Sequence, residues 1–403
     1  MKKKLACLVG ASLACGAATA VAASAGDSGI SLSGFLTAGA TYADQKVLST
    51  TNAVSQDGNI ENTVGFTNDS RIGIQLSAKV NREVSVTGQL LARGSEDGFN
   101  MKADWAFVSY RAADPLTIRG GKLKLTTFLV SDYIEVGYAY PWIRPPQEVY
   151  YANPISTLSG ADALVRFNFG DYTLLFQPYY GVSRGEQALV PQEVIGAIPQ
   201  ITFTPPATLT ASPSPAGTVA YTDFTADSLT GVNLSFGSDV FTVRAGYLQT
   251  LVSASAFGVS QEKATFTSVG GTLDWKGLVL YTEYFQREIE GLANMAFPNQ
   301  KGAYATIGYR FGKFLPHITY ATLDDNDNPT TLFGQPLKQT SATLGLRYEL
   351  GTGAALKIEA QQVKPEAANT GGPARGLLIA NPATGPELSD NVMIYSLAVD
   401  VVF

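Results

Sequence analysis

The first chemical feature of the sequence is a candidate nucleophile. Residues 181–185 read GVSRG and match the G-x-S-x-G spacing of a hydrolase nucleophile elbow. Such an elbow needs a strand before the serine and a helix after it, whereas a long proline-rich segment follows Ser183. The only histidine is His317, and no sequence context pairs it with that serine as a general base. We therefore predict that the chain is not an enzyme.

An acidic run offers a second candidate, a site for a divalent cation. Residues 324–328 read DDNDN and resemble the beginning of a calcium-binding loop. Pro329 stands where that loop requires glycine, and Gln335 stands where it requires a bidentate glutamate. We predict no metal site and no cofactor, and leave open a weak surface contact with a divalent cation.

A third stretch combines rings, prolines and charges. Residues 138–151 read YAYPWIRPPQEVYY. The prolines forbid a continuous helix or a central strand, and they reduce the conformational freedom of the segment. Tyrosines and Trp142 can pack against a wall and still offer a hydroxyl or an N–H group to a polar partner. The pattern predicts an ordered, irregular loop.

The N-terminal segment is typical of an export signal. Lysines occupy positions 2–4, an apolar run continues to about residue 21, and the small residues Ala-Ser-Ala stand at 23–25. We predict that residues 1–25 are a signal peptide that is removed on export. Cys7 and Cys15 both lie within it, so the mature chain would contain no disulfide.

The composition limits the possible partners and the fold. Removing the three lysines at positions 2–4 leaves 25 of 28 basic residues against 34 acidic ones, which argues against a nucleic-acid partner. Beyond residue 25 no apolar run approaches the length of a transmembrane helix. Charged residues make up only 15% of the chain, while 40 residues are Gly and 39 are Phe or Tyr. This balance favours strands over amphipathic helices.

Period-2 alternation is the dominant pattern. In residues 71–79, RIGIQLSAK, the apolar side chains face one way and the polar side chains face the other. Sixteen such runs begin near residues 30, 67, 83, 101, 115, 160, 172, 228, 241, 264, 278, 302, 314, 339, 354 and 391. Tight turns and longer loops alternate between them. The pattern predicts an all-β fold, a 16-stranded antiparallel transmembrane β-barrel over residues 26–403.

The two ends of the predicted barrel carry a family resemblance. The C-terminal NVMIYSLAVDVVF alternates apolar residues and ends in Phe403, and SLSGFLTAGATY near the N-terminus is similar to a first barrel strand. In these features the chain resembles the Gram-negative outer-membrane porins. The resemblance implies a bacterial outer-membrane location, contact with the lipid bilayer and lipopolysaccharide, and a homotrimer. It also implies that Phe403 is an assembly signal for the outer-membrane assembly machinery.

In sixteen-stranded porins the long loop after the fifth strand folds into the barrel. The resemblance therefore makes residues 128–159 a candidate constriction loop, and the aromatic stretch 138–151 lies within it. An outer cap on the barrel, or a contact with a neighbouring subunit, stays open as the alternative. The candidate residues of this loop are Asp132, Glu135, Tyr140, Trp142, Arg144 and Glu148.

Basic residues fall on the polar faces of the strands, where exposure to lipid would cost about 2–4 kcal/mol for each cation near mid-depth. We expect Gly120-Gly121 to interrupt the fifth strand as a bulge before Lys122 and Lys124, and we expect the strand pattern to turn both lysines inward. Basic wall residues opposite acidic loop residues would resemble a porin eyelet with a transverse field, or would simply be paired charges that fix the loop. The expected pore-lining basic residues are Arg71, Arg93, Arg119, Lys122, Lys124 and Arg166.

These observations predict a porin that forms a water-filled channel for passive diffusion of small hydrophilic solutes. The first alternative is a substrate-selective channel for small carboxylates or sugars, with a binding site at the constriction. The second is a surface adhesin barrel, in which the long extracellular loop 182–226 would matter most.

Overall fold

A computed structural model describes most of the chain as one closed antiparallel β-barrel. No helix in the described part of the chain is long and apolar enough to cross a membrane. The signal-peptide prediction for residues 1–25 lies outside the described residues, apart from Ala23–Ser24. The structure describes residues 23–24, 29–45, 47–49, 59–60, 62–95, 98–150, 152–191, 219–255, 258–291, 294, 299–325, 338–365, 378–380 and 391–403.

Sixteen strands form the barrel, and the strand count expected from the alternation is confirmed. Each strand pairs with its neighbours in chain order. The barrel strands are β1 (Ile30–Ala43), β2 (Arg71–Lys79), β3 (Val84–Ser95), β4 (Gly98–Ala113), β5 (Leu116–Lys124), β6 (Thr157–Phe169), β7 (Tyr172–Pro191), β8 (Val219–Gly237), β9 (Phe241–Ala254), β10 (Val259–Trp275), β11 (Leu278–Ile289), β12 (Gln300–Tyr309), β13 (Phe314–Asp325), β14 (Gln339–Gly351), β15 (Ala354–Pro365) and β16 (Val392–Val402).

The barrel closes where its last strand meets its first. β16 pairs antiparallel with both β15 and β1, and Thr37 of β1 lies opposite Asp400 of β16. We refer to the junction of β1 and β16 as the seam. Four short strands lie outside the barrel strands: Ala23–Ser24, Val47–Ser49, Asn59–Ile60 and Leu378–Ala380.

The alternation of residue types follows the two faces of the wall. Ile318 is 53% exposed on the outer face, whereas the flanking His317 and Thr319 are each 4% exposed on the inner face. Rings also cluster at the short turns, where Tyr172 stacks on Phe236 with their centroids 5.6 Å apart. An apolar outer belt with rings at its edge is the surface that a membrane-spanning barrel presents to lipid.

Two expected loop boundaries are wrong because the strands extend further than the alternation indicated. β7 continues to Pro191 and β8 begins at Val219, so the loop placed at 182–226 shortens to 192–218, which lies outside the described residues. Register shifts between Gly181 and Glu186 interrupt the period-2 alternation, so the sequence pattern did not indicate that the strand continues beyond this point. The loop placed at 128–159 spans residues 125–156 instead.

The loop between β5 and β6 contains three short helical turns. They are 3₁₀ turns at Ser131–Tyr133 and Gly137–Ala139, and the short helix α1 at Gln147–Tyr150. Its base is tied by a hydrogen bond from the Leu125 N–H to the Ser156 carbonyl oxygen. We call residues 125–156 the inner loop, because it makes contacts with inward-facing side chains around the barrel.

Candidate functional site

The inner loop is packed inside the barrel and does not cap its rim. Trp142 is 1% exposed, and its Nε1 donates to the hydroxyl oxygens of Thr306 on β12 and Thr319 on β13, both at 3.0 Å. Both threonines lie on the inner face of the wall. The described part of the aromatic stretch therefore lies in the lumen, where the rings of Tyr140, Trp142 and Tyr150 are buried and polar atoms bond to the wall.

Aromatic side chains of the loop pack against aromatic side chains on one arc of the inner wall. The ring of Phe128 makes an edge contact with Phe266 at 5.1 Å between centroids, and Trp142 packs on Tyr281 at 4.9 Å. All of these rings are buried. We call this wall arc the apolar seat, and its residues are Leu248, Phe266, Tyr281, Phe285 and Tyr304 on β9–β12.

Sequence analysis missed the apolar seat because it assigned the inner face to polar residues. A signal was present in β11, where Phe285 is in phase with Glu283 and Arg287. Residues two apart on a strand share a face, so the ring had to point the same way as those charges. Rings in phase with inward charges therefore predict a loop that packs inside the barrel.

The opposite arc meets the loop through buried charges. Glu135 of the loop accepts from Arg93 Nε at 3.0 Å, and its Oε1 lies 3.5 Å from Lys124 Nζ. Lys124 also pairs with Asp104 at 3.1 Å. Burial alone would raise the pKa of Glu135, but the charges of Arg93 and Lys124 outweigh that effect and lower the pKa to about 2.

Arg71 joins this arc through the loop tyrosine. Its Nη2 donates to the Tyr140 hydroxyl at 2.7 Å, and that hydroxyl donates to the Ile134 carbonyl oxygen at 2.8 Å. Burial raises the pKa of Tyr140, so this phenol stays protonated. Arg71 lies directly opposite Arg93 in the register of β2 and β3. Two like charges in that position would repel each other without a compensating partner, and the loop supplies Glu135.

Arg144 anchors the loop beside the seam. Its Nη1 bonds to Asp69 at 2.7 Å and its Nη2 to the hydroxyl oxygen of Ser396 on β16 at 2.6 Å. Next to it, the Ile143 N–H donates to Glu359 on β15 at 2.9 Å. Asp69 belongs to the segment before β2, so the first long connection also contributes a partner for the inner loop.

The two remaining acidic residues of the loop have different surroundings. Asp132 is half-buried and pairs with Arg244 on β9 at 3.1 Å. Glu148 is fully buried in α1 and accepts a hydrogen bond from Gln339 at 2.8 Å. Burial raises the pKa of Glu148, and the hydrogen bond from Gln339 opposes that shift only in part.

Four wall cations in the described part of the chain bind loop carbonyl oxygens, and Arg244 and Arg287 do so at Thr126, Leu129 and Ala152. Arg347 Nη1 donates to the carbonyl oxygens of Tyr138 and Tyr140, and Lys357 Nζ donates to those of Gly137 and Trp142. Arg347 and Lys357 are both buried on the inner face, as the alternation of their strands requires, but alternation gives no reason to pair them with the loop. Main-chain carbonyl oxygens carry no residue-type signal, so sequence reasoning had nothing to find.

Three of the expected basic residues lie away from these loop contacts. Arg119 on β5 donates from Nε to Asp162 on β6 at 2.8 Å, and both side chains are buried. Arg166 is half-buried on the same face of β6 as Asp162. Lys122 is half-buried, and its Nζ donates to the Ala103 carbonyl oxygen at 3.0 Å.

The expected bulge at Gly120-Gly121 is wrong. β5 pairs residue by residue with β4 from Thr117 to Lys122, and with β6 along its whole length, with no register shift at the glycines. Spacing alone therefore places Lys122 on the opposite face from Arg119. Lys124 is the last residue of β5, and there it is buried beside Asp104 and Glu135. Gly121 has a φ of +139°, which a residue with a side chain rarely adopts, and this explains the glycine without a bulge.

The C-terminal residue closes the strand pairing at the seam. Phe403 exchanges two main-chain hydrogen bonds with Gly34, at 2.7 and 3.0 Å, and its side chain is 46% exposed. A Cβ on Gly34 would collide with the Phe403 ring. This glycine therefore provides the space in which the terminal ring lies.

The motifs for catalysis and for cation binding lie in ordinary barrel surroundings. β7 continues through Ser183 to Pro191, so the strand–turn–helix geometry of a nucleophile elbow is not formed. At the end of β13, Asp324 pairs with Lys301 and Lys338 at 3.4 and 3.1 Å. Within the described ranges, no group of three His, Cys, Asp or Glu side chains is placed to hold a metal ion.

Comparison with known proteins identifies a family and several structural neighbours. Residues 11–368 match the family described as "Gram-negative porin". Comparison with curated protein sequences finds no match. Among solved structures, the outer membrane channel DcaP of Acinetobacter baumannii is similar at 12% identity and a TM-score of 0.53, covering 93% of this chain and 97% of that one.

Two further neighbours have the same degree of similarity. Salmonella typhi OmpF, in a complex with daunomycin, has 12% identity and a TM-score of 0.53, covering 94% of this chain and 99% of that one. A loop L8 deletion mutant of OmpT, an outer membrane protein of Vibrio cholerae, has 12% identity and a TM-score of 0.54, with coverage of 93% and 99%. At these identities the neighbours show a shared fold alone.

Proposed function

The chain belongs to the Gram-negative porin family and is an outer-membrane channel protein, and from that premise we propose that it passes small hydrophilic solutes by passive diffusion. The observation that carries the proposal is the inner loop, which lies inside a closed sixteen-stranded barrel and is fixed there by buried ion pairs. A barrel of this strand number leaves a lumen wide enough for water, and a fixed loop narrows it to a defined bore.

The contacts favour one of the two interpretations of the luminal charges. Arg93 and Lys124 touch Glu135, and Arg244 touches Asp132, so these opposite charges do not face each other across an open gap. Paired charges in a buried site fix geometry, and they contribute less to the field in the water beyond them. We infer that their main role is to hold the inner loop.

Planar bilayer recordings and liposome swelling test the proposal. Folded protein, identified by its altered gel mobility before heating, should give stable conductance steps and size-dependent swelling without saturation. Heat-denatured protein is the control and should give neither. Folded protein that reaches the bilayer and conducts nothing would overturn the proposal. Cross-linking of unheated protein tests the homotrimer that we also propose.

A substrate-selective channel is the second candidate. The inner loop forms hydrogen bonds with side chains at the seam, on β2 and β3, and on strands between β9 and β15. These contacts on most sides of the barrel favour this candidate. A lumen filled to this extent leaves a narrow route, in which a solute must contact the protein. Uptake that saturates with solute concentration would support this candidate, and a linear dependence would support simple diffusion.

A further inference from the structure

Two cations on neighbouring strands converge on one short segment of the inner loop. Arg347 on β14 reaches the carbonyl oxygens of Tyr138 and Tyr140 at 2.6 and 2.9 Å. Lys357 on β15 reaches the carbonyl oxygens of Gly137 and Trp142, both at 2.6 Å. Four carbonyl oxygens within six residues are thus turned towards the wall and satisfied there.

Each of these cations has a carboxylate partner on the wall, Glu349 for Arg347 at 2.7 Å and Asp400 for Lys357 at 2.8 Å, and the loop adds to that compensation. Arg347 lies directly opposite Lys357 in the pairing of β14 with β15. Like charges in that position destabilise a sheet, and Lys357 is only 1% exposed, so water cannot screen it. The carbonyl oxygens supply partial negative charge where the two cations meet. The rings of Tyr138 and Tyr140 add cation–π contacts at 4.6 and 4.9 Å.

The same cluster continues into the seam. Lys357 Nζ lies 2.8 Å from Asp400 Oδ2 on β16, and Thr37 on β1 donates to Asp400 Oδ1 at 2.6 Å. Gly137 fits against this pair so closely that a Cβ there would collide with the Asp400 carboxylate and the Thr37 hydroxyl. One end of the carbonyl-bearing segment therefore rests on side chains from the last and the first strand.

We propose that Arg347 and Lys357 are positioning residues that clamp loop residues 137–142 by their carbonyl oxygens. Their effect on conductance rests on the proposed channel function, whereas their effect on the loop position does not. Because Asp400 and Thr37 come from opposite ends of the chain, the clamp is complete only after the barrel has closed. The clamp thereby couples the position of the constriction to the integrity of the seam.

Substitution at Lys357 tests the clamp. Lys357→Met removes the hydrogen bonds to the carbonyl oxygens of Gly137 and Trp142, and it leaves the Asp400 carboxylate without its cation. The loop segment should therefore leave the wall. Lys357→Arg keeps the charge and should restore the position in part. Lys357→Met combined with Asp400→Asn should be less damaged than Lys357→Met alone, since no buried charge is then unpaired. Arg310→Gln is the matched control, because Arg310 pairs with Asp274 at 2.7 Å in a half-exposed site.

Two measurements read the outcome independently. The first is the fluorescence of Trp142 with Trp105→Phe and Trp275→Phe in the background, so that it is the only tryptophan. Lys357→Met should shift its emission to the red, while Arg310→Gln should leave it unchanged. The second is single-channel recording, in which Lys357→Met should raise the conductance and the open-channel noise.

Each result supports or overturns the clamp. Folded Lys357→Met with unshifted Trp142 emission would contradict it. If that variant does not fold, Gly137→Ala decides, because its methyl group displaces the segment without removing a charge. Unshifted emission in Gly137→Ala would then overturn the proposal. If the unsubstituted protein conducts nothing, the channel function fails, and the emission shifts still report on the clamp.

Discussion

The inner loop is held by different forces on the two sides of the barrel. On β9–β12 it packs on the apolar seat, where rings such as Phe128 and Phe285 are buried against each other. Three charged side chains of the same strands add bonds to the loop, namely Arg244, Glu283 and Arg287. From β14 through the seam to β3 it is held mainly by buried cations and carboxylates, such as Arg347 and Glu135. The apolar seat holds the loop by burying apolar surface, and the charged side holds it by specific ion pairs and hydrogen bonds.

The difference between the two sides indicates what each contributes to holding the inner loop. Apolar packing is not directional, so it provides affinity for the wall and tolerates small shifts of the loop. A buried ion pair contributes little net stability, because desolvation offsets the attraction, but it allows only one geometry. We infer that the apolar seat keeps the loop in the lumen and that the charged side determines where in the lumen it lies.

The largest effect should come from removing a ring at the apolar seat. Phe128→Ala deletes a loop ring that is 3% exposed and contacts Phe266 and Tyr150. We expect a loss of about 3–5 kcal/mol, as for other buried phenylalanines. Urea unfolding in detergent, followed by tryptophan emission, measures it. Phe128→Leu is the control and should lose much less, and equal losses would mean that the ring does not carry the contact.

Removing one partner on the charged side should have the next largest effect. Glu135→Gln removes a carboxylate that contacts both Arg93 and Lys124, while Lys124 keeps its pair with Asp104. We expect a loss of about 3 kcal/mol, the lower end for a broken buried pair, because the Arg93 side chain is 19% exposed. Open-channel noise should rise more than in Phe128→Leu. A stable variant with quiet channels would refute the assignment of positioning to this side.

The pH dependence should separate the two buried carboxyl groups of the loop. The pKa of Glu135 is lowered to about 2, so its stabilisation is present above the unfolded carboxyl pKa of about 4.3 and is lost as the pH falls towards 2. The pKa of Glu148 is raised, so its contribution is full below that unfolded value and is lost as the pH rises through the folded one.

Glu148→Gln tests the second of these effects, because an amide resembles the protonated acid in shape and carries no charge. The variant should lose the decline of stability with rising pH that we expect of the unsubstituted protein. Its reversal potential in a salt gradient should not change, since the side chain has no solvent exposure. Urea midpoints at several pH values measure the first point, and a steeper decline in the variant would count against it.

The smallest effect is expected where an ion pair does not touch the loop. Arg310→Gln breaks a pair with Asp274 whose side chains are 37% and 33% exposed. Exposed pairs contribute about 0–1 kcal/mol, so stability and conductance should both stay close to those of the unsubstituted protein. A loss as large as that of Glu135→Gln would show that burial does not separate the two kinds of pair.

Deletion of residues 138–151 removes many loop–wall contacts at once, whereas each of these substitutions removes one or two. The barrel strands satisfy their own main-chain hydrogen bonds and do not need the loop for that. However, the deletion would leave Arg347 and Lys357 facing each other without the carbonyl oxygens that compensate them. A wider pore after deletion is therefore expected together with a less stable barrel.

The sequence by itself determined the barrel. Strand number, antiparallel order and the inward direction of residues such as Arg71 and Lys357 follow from period-2 alternation, because neighbouring side chains on a strand must point to opposite faces. Proline and ring content likewise predicted that residues 138–151 are ordered. The pattern failed at Lys122 and along β7, where it assumed a bulge that is not formed and missed register shifts that are.

Only the tertiary structure decided which loop atom meets which wall residue. Alternation assigns a side chain to a face but gives no position around the barrel, and Arg347 and Tyr138 are 209 residues apart in sequence. The decisive acceptors are main-chain carbonyl oxygens, which every residue carries and which no sequence pattern marks. The position of the inner loop therefore follows from closure of the barrel, which brings the seam, β14 and β15 around the loop's carbonyl oxygens.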